Sequence, residues 1–155
     1  MMRKNLAIIS NEKTLKINKK FFCDNKDMKS IPEGLNKNFK INLFVRNSLV
    51  ERSTHEINLS NIIISNSLFS YLINVFKTKY LFDKYLVISL SPYTFIISLL
   101  LIILKKKVYL YLRSDGYEEY KCYSKYFGPI IYHIMFTLIS YSSKLIACRS
   151  HYFKG

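Results

Sequence analysis

The run KYLVISLSPYTFIISLLLIILKKKVYLYLRSDG, Lys84 to Gly116, constrains this chain more than any other segment. Two readings compete for it. Tyr85 to Leu104 is twenty uncharged residues, long enough to cross a bilayer. The same residues also parse as a βαβ unit. Tyr85–Leu90 is β-rich and continuously apolar, as a strand buried on both faces must be. Pro92 cannot sit inside a central strand but suits the first turn of a helix. Only twelve residues, Tyr93–Leu104, then remain before Lys105-Lys106-Lys107, the length of a buried core helix. Val108–Arg113 follows as a second strand and ends in Arg113-Ser114-Asp115-Gly116. Residue type therefore favours the sheet unit over the span.

The rest of the chain extends that alternation. Asn5–Ser10 reads as a short buried first strand. Residues 11–38, rich in Lys and Asn with a turn at Pro32 and Gly34, read as a long irregular solvated connection. Phe39–Arg46 has the pattern of a strand, and His55–Ser65 has room for another. Leu68, Leu72, Val75 and Phe76 fall on a helical period within Ser67–Tyr80. Beyond Gly116 come a polar stretch, a Gly128-Pro129 break, a helix from Ile130 to about Ser142 and a last strand at Lys144–Arg149. His133 belongs in or beside the core on this pattern. The expected fold class is α/β, one doubly wound domain over residues 1–155, with a mostly parallel Rossmann-like sheet and helices on both faces.

Charge narrows the partners. The net charge is +14, which invites an anionic membrane or nucleic acid. Residues 1–54 and 55–155 each carry twelve Lys/Arg against five Asp/Glu, so there is no basic tail. The lysines are scattered without an aromatic-basic motif. That makes nucleic acid the weaker partner and peripheral attraction to anionic lipid the better one. Cys23, Cys122 and Cys148 are odd in number and lack CxxC spacing, which fits a reducing cytosol and no disulfide framework or zinc site. The N-terminal apolar run, Leu6–Ile9, is too short for a signal peptide, so a mature cytosolic start is expected.

Ligands in open α/β sheets gather at the carboxyl ends of the strands. Here those ends are Ser10-Asn11, Arg46-Asn47, Ser91-Pro92-Tyr93, Arg113-Ser114-Asp115-Gly116 and Arg149-Ser150-His151. Arginine offers a planar donor fork for phosphate or carboxylate, and Ser or Asp can bond hydroxyl groups. Glu118 and Glu119 follow in the same turn region, as solvated first-turn acids or as hydroxyl ligands. Absences narrow the chemistry: there is no GxGxxG or P-loop, no Asp-x-Asp, no HExxH and no Gly-x-Ser-x-Gly elbow.

Ser91-Pro92, Arg113-Ser114-Asp115-Gly116 with Glu118-Glu119, and Lys144-Leu-Ile-Ala-Cys-Arg-Ser150 together resemble the N-terminal domain of family 4-like glycosyltransferases of the GT-B fold, which serve cell-surface polysaccharide synthesis. The resemblance implies an acceptor-side half-domain whose donor domain is absent, supplied by a C-terminal domain or a split partner chain. It implies transfer from a nucleotide-sugar co-substrate to a glycan or lipid-linked acceptor, with no metal or other cofactor, and peripheral attachment to the inner face of the plasma membrane. Arg113 and Asp115 are then the catalytic candidates. Ser10, Asn11, Ser91, Tyr93, Ser114, Gly116, Glu118, Glu119, Arg149, Ser150 and His151 are the substrate-binding candidates. The alternatives are a basic membrane-associated binding protein and a small integral membrane protein without catalysis.

Overall fold

A computed structural model describes residues 4–50 and 55–147, which form two compact units, Met1–Lys84 and Tyr85–Gly155. The class is α/β and Rossmann-like: mostly parallel strands, some antiparallel pairing, and helices on both sides.

The N-terminal unit is built on β1 (Lys4–Ile17). Its first half, Leu6 to Ile9, is fully buried, and β3 (Phe39–Asn47) runs parallel beside it from Lys4↔Phe39 to Ile9↔Phe44. The register breaks between Ile9 and Lys13 and resumes at Lys13↔Arg46. A bulge of this kind takes backbone groups out of the ladder. Tyr71 answers it: its buried hydroxyl accepts from the Ser10 N–H at 3.1 Å and lies 2.6 Å from the Phe44 carbonyl, to which it donates. Tyr71 comes from α2 (Leu68–Lys77), which starts at the Ser67 cap, and whose Asn74 donates to Ser65 at the end of β5 (Ile62–Ser65). Burial pushes the Tyr71 phenol well above its ordinary range, so it stays a donor. β5 pairs parallel with β3.

Residues 11–38 are not the irregular connection expected from their composition. β1 continues to Ile17 and folds back antiparallel as β2 (Lys20–Cys23), which pairs in turn with the short β4 (His55–Glu56). The turn residues Asn18 and Lys19 have φ of 47° and 69°, the left-handed pair that a two-residue hairpin needs. Then Asn25 caps α1 (Lys26–Leu35) by accepting from the Asp27 N–H at 3.0 Å. Ser10 and Asn11 therefore lie at a bulge inside β1 and not at a strand end.

In the C-terminal unit the expected order holds closely. β6 (Lys84–Ile88), β7 (Lys107–Leu112) and β8 (Lys144–Ala147) stand side by side, β8 parallel to β7. Pro92 opens α3 (Pro92–Ile103) as placed from the sequence. Among the described residues no helix is long and apolar enough to cross a membrane, so the integral-membrane reading of Tyr85–Leu104 fails. The polar stretch after Gly116 is itself a helix, α4 (Gly116–Tyr123), packed on α5 (Phe127–Ser140). Glycine at position 128 allows that packing, since a Cβ there would stand 1.9 Å from the Tyr120 carbonyl oxygen. His133 is exposed on α5, its Nδ1 2.8 Å from the Tyr117 hydroxyl, and is not a core residue.

Candidate functional site

The carboxyl ends of β6 and β7 meet two helix starts. After Ile88 the chain enters Ser89 with φ of 61°, a left-handed conformation that costs a non-glycine residue about 1–2 kcal/mol. Ser89 is tied on both sides of its backbone: its N–H donates to the Tyr111 carbonyl at 2.9 Å, and its carbonyl accepts from Thr94 Oγ1 at 2.9 Å. Its own hydroxyl is buried and has no hydrogen-bond partner among the described residues. Ser89 itself lines a depression together with Arg113, Ser114, Glu119 and Tyr132, with Leu90, Leu112 and Gly116 between them. The space is small, about 10 Å³, room for one water molecule.

Tyr132 closes the depression from α5. Its ring lies so near Gly116 that a Cβ there would be 2.0 Å from Cε2, so any other residue at this position would displace the Tyr132 ring. The ring meets Tyr117 edge-on at 4.8 Å and stacks on Phe136 at 6.1 Å. Burial, reinforced by Tyr117 and Asp115, pushes the Tyr132 phenol up; burial with Tyr123 and Glu119 pushes Tyr120 up to about 12. Both remain protonated at neutral pH.

The residues singled out from the sequence separate into groups. Arg113, Ser114, Gly116 and Glu119 do gather around one depression. Asp115 is the N-cap of α4: its carboxylate accepts from the Tyr117 N–H at 2.9 Å and the Glu118 N–H at 3.4 Å. Ser91 caps α3, and with Thr94 forms a reciprocal capping box. Tyr93 is half-buried in the first turn of α3, and Glu118 is exposed and pairs with Lys121 at 3.3 Å. Ser10 and Asn11 belong to the N-terminal unit. There Ser10 Oγ accepts from the Glu12 N–H and reaches Met28 Sδ, while Asn11 Oδ1 accepts from Arg46 Nη1 at 3.1 Å. Arg149, Ser150 and His151 lie outside the described residues. Among the described residues no cluster of three His, Cys, Asp or Glu side chains could hold a metal ion. Sequence reasoning missed Ser89 and Tyr132. Nothing in VISLSPY marks the first serine as strained, and Tyr132 reaches the site only through the packing of α5.

No protein-family model and no curated protein match this chain. Among solved structures it is similar to the C-terminal domain of the coenzyme A biosynthesis bifunctional protein CoaBC, at 13% identity and a TM-score of 0.44. The likeness covers 71% of this chain and spans 64% of that one. A likeness of that order says nothing of what this chain binds. The structure found is a coenzyme A biosynthesis domain and not a GT-B glycosyltransferase. The resemblance to family 4-like GT-B glycosyltransferases is thereby overturned, and with it the sugar-transfer function and the role in polysaccharide synthesis. The basic membrane-associated binding protein weighed as the alternative function gains no support either. There is a physical reason why the motifs misled. Ser91-Pro92 and Asp115-Gly116 are a helix cap followed by the first helical residue, which βα units need whatever their chemistry.

Proposed function

We propose that the C-terminal unit binds a small ligand through an anionic oxygen group, a phosphate or carboxylate, seated over Ser89, Ser114 and Arg113. The observation that carries this is Ser89: a left-handed residue whose buried hydroxyl has no partner among the described residues, lining one depression with Arg113. Arg113 supplies the charge, the two serines supply hydroxyl donors, and Tyr132 adds a protonated phenol. Glu119 at the rim favours a ligand that also carries a hydroxyl or amine. The space as it stands admits one water, so the body of the ligand lies outside and only its head group enters. We further propose that the chain works at the anionic inner face of the plasma membrane, a location its +14 charge supports.

Ligand-observed NMR and thermal shift with inorganic phosphate and with acetate test the site. The wild type should bind one of them, and Arg113→Ala should weaken that binding at least tenfold, the worth of a charge-assisted hydrogen bond. Ser89→Gly should weaken it too while raising stability by about 1 kcal/mol through relief of the left-handed residue. Equal binding by all three proteins, or none by the wild type, would refute the proposal.

A further inference from the structure

Helix α5 (Phe127–Ser140) contains no charged residue and has two apolar faces. One is buried and carries Tyr132, Met135, Phe136 and Ile139. The other carries Phe127, Ile130, Ile131, Ile134, Leu138 and Tyr141, the residue after the last turn, all between 49% and 94% exposed. At 100° per residue those six fall within an arc of roughly 100°, a continuous stripe and not a scatter of single exposed side chains. Lys121 and Lys125 precede the helix and Lys144 follows it. From Tyr120 to Gly155 the sequence has five Lys/Arg and no Asp or Glu.

We infer that the outer face of α5 docks on an anionic lipid surface. This rests on the membrane location proposed above and names the face that makes the contact. The charges decide the occupant. A second copy of the chain meeting the same face would bring Lys125 and Lys144 against their own kind, while Lys121 is already paired with Glu118. Anionic headgroups supply the missing negative charge while the acyl boundary takes the isoleucines. The aromatics fit: Tyr126 and Phe127 stand at one end of the stripe and Tyr141 at the other, where ring side chains prefer the headgroup level. Fourteen residues rise about 21 Å against a hydrocarbon core of about 30 Å, so the helix lies on the bilayer and does not cross it.

The test is flotation of the full chain with vesicles of phosphatidylcholine alone or with added phosphatidylglycerol, comparing wild type with Ile134→Ser/Leu138→Ser. Both positions are exposed and both changes leave the charge as it is, so circular dichroism should be unaltered. The wild type should float with the anionic vesicles, and the double variant should partition at least tenfold less. Wild-type flotation with no loss in the variant would overturn the docking face and leave the membrane location standing on diffuse charge. No flotation of the wild type would overturn both. A salt-resistant dimer that the double variant splits would assign the stripe to a second copy and overturn the lipid assignment.

Discussion

Gly128→Ala should destabilise the C-terminal unit by about 2–4 kcal/mol, and Gly34→Ala should do the opposite to the N-terminal unit. At Gly128 the added Cβ would lie 1.9 Å from the Tyr120 carbonyl oxygen and 2.5 Å from its carbon. Carbon and oxygen approach to about 3.3 Å at closest, so α4 and α5 must part by roughly 1.4 Å. The obstacle is backbone, so no side-chain rotation relieves it. Parting strains the Gly128 N–H to Ser124 carbonyl bond, now 3.0 Å, and the edge contact of Tyr117 with Tyr132 at 4.8 Å. Each is worth about 1 kcal/mol, and overpacking adds about 1–3. The helix preference of alanine returns about 1 kcal/mol. At Gly34, inside α1, nothing lies within 4 Å of a Cβ, so only the helix preference acts and stability rises by about 0.5–1 kcal/mol. Urea denaturation followed by circular dichroism and tyrosine fluorescence reads both, since the chain has thirteen tyrosines and no tryptophan. With m near 2 kcal/mol/M the Gly128→Ala midpoint should fall by about 1 M or more. An unchanged or raised midpoint, with Gly34→Ala raised as expected, would show that α4 and α5 do not pack as described.

Tyr71→Phe should cost about 2–4 kcal/mol, because it strands the Ser10 N–H and the Phe44 carbonyl in a buried bulge. A urea midpoint close to wild type would mean that those groups find other partners. Burial first, and then Glu12, pushes the Cys23 thiol up to about 11. Iodoacetamide at pH 8 should therefore modify Cys23 roughly a hundredfold more slowly than an ordinary thiol on ionisation alone, with exposed Cys122 as the reference in peptide mapping. A folded-state pKa above the unfolded one makes the linked stability whole below about pH 9 and lost as pH climbs toward 11, so the urea midpoint should fall across that window. Equal labelling of Cys23 and Cys122 in the native protein would refute the burial.

The C-terminal unit was readable because its signals are local. The lysine stop after α3, Pro92 at a helix start and the apolar run of β6 each act within a few residues, and the boundaries of β6, α3 and β7 fall within two residues of those expected. The N-terminal hairpin was hidden by its chemistry. A two-residue turn with φ positive at both positions normally announces itself as Asn-Gly, and here Lys19 stands where glycine would. Pro32 and Gly34 read as a break, yet both lie in the second half of α1, where they remain helical. At the site, the rule of strand carboxyl ends found Arg113 and Ser114, and the first-turn acids that follow them included Glu119. It could not separate Asp115 as a cap from Asp115 as an acid, because one carboxylate at a helix start suits both until its partners are known.

The four left-handed non-glycine residues among those described give the strongest argument for where this chain meets a ligand. Asn18 and Lys19 form a hairpin turn that demands the conformation. Lys105 ends α3 in a Schellman arrangement, with its N–H donating to Ile102 and that of Lys106 to Leu101, again a local demand. Ser89 has neither excuse. It joins a strand to a helix whose cap, Ser91, is two residues further on and already satisfied by Thr94. Glycine at position 89 would remove both the backbone strain and the buried hydroxyl, and its own conformational entropy would offset part of the gain, leaving the net rise of about 1 kcal/mol expected for Ser89→Gly. What serine offers and glycine cannot is a hydroxyl on a residue that lines the same depression as Arg113. A ligand oxygen placed there would satisfy the hydroxyl and recover part of that cost on binding, so the strain favours the bound state over the free one.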